Sequence, residues 1–443
     1  PAYARSFTQG AKIFFGGMWD HWNVPTCRYD PTGEYDNVIN FVVDFFKDNE
    51  PLAQHCDEFS PGKHSSTLLT DAAIDLLKEN AGKDKGVVYA GNWVVDWNDK
   101  SIALAGGEIN IKDGTVGIAE YAFYKCLYVS NVEIPDSVQY INRSAFYQTS
   151  YILSVTLPAE LKCIEEFTFY GCFQLLSVGY MKDSETGGDP VRVEGFPETL
   201  ELIGRSSFYE CSLLGCTVDE TGYGLLDREF TLVIPDSVKT IERYAFYKCG
   251  AQDVSLDTGV KTLYGIDKVV LGSGLEFIGE NAFGSFMSLK ELDTGDGLKT
   301  IGWKSFYKCP NLEEITFGAS IEKVDERAFY GCSSLKSVEL SSSVREIADY
   351  AFYNCESIES ITLNNGLEKI GNYAFAKALR VESLYVPESV DSIGKYAFRG
   401  MTNLKSVVLT DGMDSIANYA FYGCLKVSFY VEKANASGWE NRW

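Results

Sequence analysis

The chain has no run of 18 apolar residues, which excludes a membrane-spanning helix from the sequence. It is also short of positive charge: 39 Lys and Arg stand against 62 Asp and Glu, a formal charge of −23. An acidic surface of this kind repels nucleic acid and anionic lipid, so neither is expected as a partner. Histidine is scarce. The three present, His21, His55 and His64, all lie near the N-terminus, and no cysteine pair has zinc-finger spacing with them. No cofactor and no metal are implied.

What the chain has is repetition. A phenylalanine preceded by a small residue recurs at 123, 146, 169, 208, 246, 283, 306, 329, 352, 375, 398 and 421. The spacing is 23 residues except for three consecutive steps of 39, 38 and 37. Five residues before each Phe stands Ile, or Val324 in one copy. Eight before, the residue is aliphatic or Met in every copy except the first, which has Thr115; six after, Gln252 is the one non-aliphatic residue. A single unit of this size cannot bury such a row, whereas neighbours stacked in register place like on like. By length the chain would make two or three ordinary domains, but a solenoid escapes that count.

Within the unit, SIESITL (357–363) alternates, with Ile361 and Leu363 on one face of a short strand. A turn carrying Asn365-Gly366 or a Pro-x-Ser sequence follows. Phe352 and Cys355, three apart, have helical spacing, so one short helical or 3₁₀ piece per repeat is expected. Strand plus short helix in 20–29 residues is the plan of a leucine-rich repeat.

The pattern L-x-x-V-x-L-P-x-S-V-x-x-I-x-x-x-A-F-x-x-C, running from about 90 to 431, resembles the BspA-like leucine-rich repeats of bacterial and protist surface proteins. The resemblance implies an α/β repeat: a right-handed solenoid with a parallel sheet on its concave face. It further implies a non-enzymatic recognition or adhesion module, extracellular or on a cell surface, whose partner is a host or other surface protein, or a glycan. A monomer is expected.

Twelve cysteines would ordinarily suggest a disulfide framework. Eight of them, however, stand three after the repeat Phe, where other copies have Thr149, Phe286, Ala378 and Met401. A slot that accepts Ala, Met or Phe is a packing slot, so free buried thiols are expected.

Three regions depart from the repeat. Residues 1–85 do not repeat; helices are expected at about 35–48 and 66–80, and a small helical cap over the open end of the solenoid is the simplest reading. The same region holds Asp20-His21, His55-Cys56-Asp57 and His64, which leaves open an alternative: a targeting domain attached to a hydrolase of which 1–85 are a part. The three long steps insert residues within 176–268, after the Phe-x-x-Cys segment and before the next strand, and a shared insertion point would set three loops along one edge. Their acidic residues, Asp183, Glu185 and Asp219 among them, match no calcium-loop spacing. The tail, 425–443, ends in Trp439 and Trp443 and is expected to cap the last repeat.

Two surfaces are candidates for recognition. The outward strand residues form rows that include Glu314, Ser337, Ser360, Ser383 and Ser406, and beside them Thr316, Glu339, Thr362 and Tyr385. Little projects from such rows, so a broad ligand fits. The loop edge, with Asp183, Glu185 and Asp219, is the second element of the binding surface. Tyrosines flanking the Phe form a separate ladder, for which packing between repeats is the favoured role.

Overall fold

The computed structural model describes residues 86–97, 107–184, 189–218, 225–226, 229–254 and 261–432. It divides into two compact units, Pro1–Pro197 and Glu198–Trp443. The expected helices at 35–48 and 66–80, and most of the C-terminal cap, lie outside the described residues.

The first unit opens with the antiparallel hairpin Val87–Ala90 and Trp93–Trp97. Coils then follow in which Glu108–Asn110, Asn131–Glu133, Ser154–Leu157 and Ser177–Lys182 pair in parallel. The register advances by one repeat at each step: Glu108 faces Asn131, then Ser154, then Ser177. A second ladder of two-residue strands, Gly117–Ile118 and Tyr140–Ile141, extends Trp93–Val94.

The second unit is built the same way. Its longer strands run from Thr231–Val233 to Ser428–Val431, each parallel to its hydrogen-bonded neighbour. Its two-residue strands run in parallel from Thr300–Ile301 to Ser415–Ile416. In both units the alternation of the sequence decides which side chains enter the core. Val338, Ile361, Leu384 and Val407 are buried, while their flanking residues face out.

The expected helical piece is absent: among the described residues there is no α- or 3₁₀-helix. The Phe segment is a chain of turns. Phe352 accepts a hydrogen bond from the Cys355 N–H, and Tyr350 one from the Tyr353 N–H, which accounts for the spacing of three without a helix. The alternate amides point to the next coil: Tyr350, Phe352 and Asn354 donate to the carbonyls of Asn372, Ala374 and Ala376 at 2.8, 2.8 and 2.9 Å. Turning every second amide outward requires left-handed backbone two residues before and two after each Phe. Every non-glycine residue with positive φ among those described sits at one of these two positions, for example Tyr350 at 58° and Asn354 at 64°. A left-handed residue in every fourth place cannot continue a right-handed helix.

Each coil thus runs from a strand wall through the two-residue ladder to a turn wall, with the core between them. Within each unit the twelve repeat phenylalanines form a column of near-parallel rings; neighbours stand 4.9 Å apart at Phe123–Phe146 and 5.8 Å apart at Phe375–Phe398. All are at most 5 % exposed. The two sequence exceptions resolve locally. Thr115 is buried with its hydroxyl donating to the Lys112 carbonyl. Gln252 falls in an inserted hairpin, and Ile266, two residues before its strand as Leu289 is before the next, is fully buried.

The ten described cysteines are free. In the packing slot the thiol has a further task. Cys172, Cys309 and Cys355 donate from Sγ to the carbonyls of Phe146, Phe283 and Phe329, each in the preceding coil, at 3.2, 3.1 and 3.3 Å. Thr149 does the same with its hydroxyl, at 2.7 Å from the Phe123 oxygen. Burial pushes the Cys355 thiol up to about 12.

The insertions do not share one point of origin. In the first, Ser177–Lys182 is the regular strand, in register with Ser154–Leu157, and VRVE (191–194) is the returning arm of a hairpin that grows from its end. The second and third, Thr217–Val218 with Leu225–Leu226 and Ala251–Val254 with Lys261–Tyr264, are hairpins that precede their strands. Sequence spacing alone places all three ahead of the strand, because VRVE alternates as a repeat strand does.

Candidate functional site

The strand wall of the second unit carries most of the predicted residues on one face. Glu314 and Thr316 flank Ile315, and Glu291 and Asp293 stand beside them in register. Ser337 and Glu339 pair with Ser360 and Thr362. Ser383 and Tyr385 pair with Ser406 and Val408. All nine predicted strand residues reach the surface; Ser406 is half-buried and the other eight are exposed. Short β-favouring side chains alternate with buried aliphatics here, so the pleat itself aims them outward.

The face changes character along its length. Toward Lys268 it is charged, and Lys268 Nζ donates to Glu291 Oε2 at 2.9 Å. That bond raises the Lys268 ammonium above its ordinary value. Toward the C-terminus it is lined by hydroxyls, and two exposed tyrosines, Tyr385 and Tyr430, flank Val408. Ser428 and Tyr430 continue the two rows. The sequence reading missed both because no repeat Phe follows them. The signal was present in SFYV (428–431), which alternates like SLYV (383–386).

The corresponding face of the first unit is covered by its own insertion. Arg192, on the returning arm of the first hairpin, donates to Ser177 Oγ at 3.1 Å, to the Val155 carbonyl at 3.3 Å and to the Thr156 hydroxyl. Glu194 Oε1 accepts from its Nε at 3.0 Å. Gly179 makes the approach possible, since a Cβ there would stand 2.6 Å from the Val193 oxygen and 2.9 Å from the guanidinium carbon. Asp183 is exposed at the tip side of this hairpin, on the first unit and not on the strand wall of the second. Glu185 and Asp219 lie outside the described residues, as do His21, His55, Asp57 and His64.

The tyrosine ladder is a packing feature along its length. Tyr307, Tyr330 and Tyr353 stack at 5.1 and 5.0 Å, and Tyr350, Tyr373, Tyr396 and Tyr419 at 4.8, 4.8 and 5.3 Å. Ring faces inside the stack are covered by their neighbours, so only edges and hydroxyls meet a ligand.

Among the described residues no three or more His, Cys, Asp or Glu are grouped to hold a metal, and no helix is long and apolar enough to cross a membrane.

The chain matches the family model described as "BspA type Leucine rich repeat region (6 copies)" over residues 106–189, 229–265, 263–381 and 368–437. No curated protein matches it. Among solved structures it is similar to a leucine-rich repeat protein from Bacteroides ovatus, with 20% identity and a TM-score of 0.42, covering 79% of this chain and 96% of that one. A leucine-rich cell surface protein from Faecalibacterium prausnitzii is also similar, with 20% identity, a TM-score of 0.40 and coverage of 80% and 93%. A third is the pneumococcal vaccine antigen PcpA, with 18% identity, a TM-score of 0.38 and coverage of 75% and 80%. The family model spans more than half of the sequence, and the chain belongs to the BspA-type leucine-rich repeat family.

Proposed function

We propose that the chain is a surface-displayed or secreted recognition module, and that it binds a protein or glycan partner as a monomer through the strand wall of its second unit. The observation that carries this reading is the contrast between the two strand walls. In the first unit the hydroxyl rows are occupied by Arg192, whereas in the second the equivalent rows run from Ser337 to Ser428 with no such cover among the described residues. Short hydroxyl side chains leave the wall level, and Tyr385 and Tyr430 supply amphipathic rings of the kind that anchor protein and sugar contacts. Family membership supports recognition over catalysis. The hairpins that pair Thr217–Val218 with Leu225–Leu226 and Ala251–Val254 with Lys261–Tyr264 belong to the same unit as this wall.

The test is an array of glycans and extracellular-matrix proteins probed with the full chain, then with S360R/T362R. The proposal expects a ligand whose binding falls by at least about tenfold in the double variant at unchanged melting temperature, as for loss of an interface centre. A ligand bound equally well by the variant would contradict it.

A further inference from the structure

The turn wall of the second unit segregates charge against the sign of the whole molecule. From Trp303 to Gly423, the outward positions around each Phe hold Lys304, Lys308, Arg327, Lys377, Lys395 and Arg399, against Glu326 and Asp349. That is six cations to two carboxylates in a chain of net charge −23. The two carboxylates are engaged. Glu326 pairs with Arg327, and Asp349 accepts from the Asn372 backbone and side-chain amides at 2.7 and 2.9 Å.

The cations of the two walls are held differently. On and beside the strand wall, Lys268, Lys290, Lys336, Arg380 and Lys405 each meet a carboxylate. On the turn wall, Lys304, Lys308, Lys377, Lys395 and Arg399 meet none among the described residues and lie over aromatic rings instead. Lys304 is 4.0 Å from the Trp303 ring, Lys395 5.2 Å from Tyr396, and Lys377 5.5 Å from Tyr353. Arg399 lies over both Tyr396 and Tyr422, at 5.4 and 5.7 Å. A neighbouring ring holds a cation in place without neutralising its charge. The ring stack is continuous, crossing from one tyrosine column to the other where Tyr353 meets Tyr350 at 5.6 Å. The wall is therefore a ridge of two overlapping ring stacks, edged with cations that meet no carboxylate.

The geometry points to a linear anionic polysaccharide, bearing carboxylate or sulfate groups, as the partner of this ridge. The backbone there is closed to a peptide strand, because the outward amides of Tyr350, Phe352 and Asn354 already bond the next coil. Unstacked bases need free ring faces, and these are covered. What remains is a tyrosine hydroxyl in each coil, with cations that meet no carboxylate in the coils of Phe306, Phe375 and Phe398. An extended polyanion carrying charge and hydroxyls at each sugar matches that offer.

The test measures binding of the full chain to heparin and to polygalacturonate, with neutral dextran and poly-glutamate beside them, across a salt series. The expected result is binding to one or both polysaccharides that weakens with salt and falls by about tenfold or more in K377E/K395E/R399E. Charge removal in K377Q/R399Q is expected to give a smaller loss in the same direction, and K268E/K336E/K405E on the strand side a change under about twofold. Both ridge variants should melt with the parent. No binding to either polysaccharide, equal losses in the two triple variants, or tighter binding of poly-glutamate would each overturn the proposal. Because S360R/T362R leaves the ridge intact, its effect on array binding reports on the strand wall alone.

Discussion

On the strand wall, coils are joined by parallel β-bridges such as Ser337 with Ser360, and cations are paired with carboxylates. On the turn wall, coils are joined by left-handed turns whose amides bond across the same interval, and cations rest on tyrosines. Both satisfy the backbone between coils, which a buried segment requires. They differ in what the side chains must supply. Extended backbone accepts any short residue, so the strand wall is free to vary outward. The turn wall holds Tyr, Lys, Ser and Asn at φ near 60°, a conformation that costs about 1–2 kcal/mol for a residue with a Cβ. Ring stacking and the cross-coil hydrogen bonds offset that cost. One regular repeat thus holds two unlike backbone solutions under a single period.

The largest effect should come from the column both walls share. Phe352→Ala is expected to lose about 3–5 kcal/mol, whereas Ser360→Ala, on the outer strand face, should lose under about 0.5 kcal/mol. Urea melts of the two variants check this, and equal midpoints would break the distinction between core and face.

The next effect is specific to the thiols behind the turn wall. Burial raises the folded-state pKa of Cys355 from 9.0 to about 12. The neutral thiol is favoured in the folded chain, so its contribution is full below about 9 and is lost as pH rises toward 12. Relative to Cys355→Ala, the parent should lose about 1–2 kcal/mol more stability between pH 7 and pH 10.5. Parallel pH dependence in the two proteins would place Cys355 outside the closed core.

A smaller effect distinguishes the walls by sign. Ser285 sits at φ 53° on the turn wall, where Ser285→Gly should cost nothing or gain up to about 1 kcal/mol. Ser360→Gly, in extended backbone, should lose about 0.5–1 kcal/mol. Losses of equal size at both positions would remove the left-handed turn from the account.

The strand wall was legible in the sequence because alternation has a period of two and Ile361 and Leu363 announce it. The column was legible because Phe and Ile recur at fixed intervals. The turn wall was not. A separation of three between Phe352 and Cys355 fits a helix and a chain of i to i+3 turns equally well, and glycine marks only a few of the left-handed positions, Gly331 and Gly400 among them. Tyrosine in the others carries no turn signal. Gln252 was a usable clue: a polar residue in an otherwise aliphatic row marks a shifted register, and Ile266 fills the place. The cover that Arg192 lays over the first unit's strand face was not legible, because it depends on which side of a strand its hairpin arises.

Amide hydrogen exchange on the intact chain tests the two-wall architecture most directly. The turn amides of Tyr350, Phe352 and Asn354 should be protected to within about tenfold of the Glu359 and Leu340 amides on the strand wall. Exchange of those turn amides at the rate of open loops, with the strand amides still protected, would contradict the account.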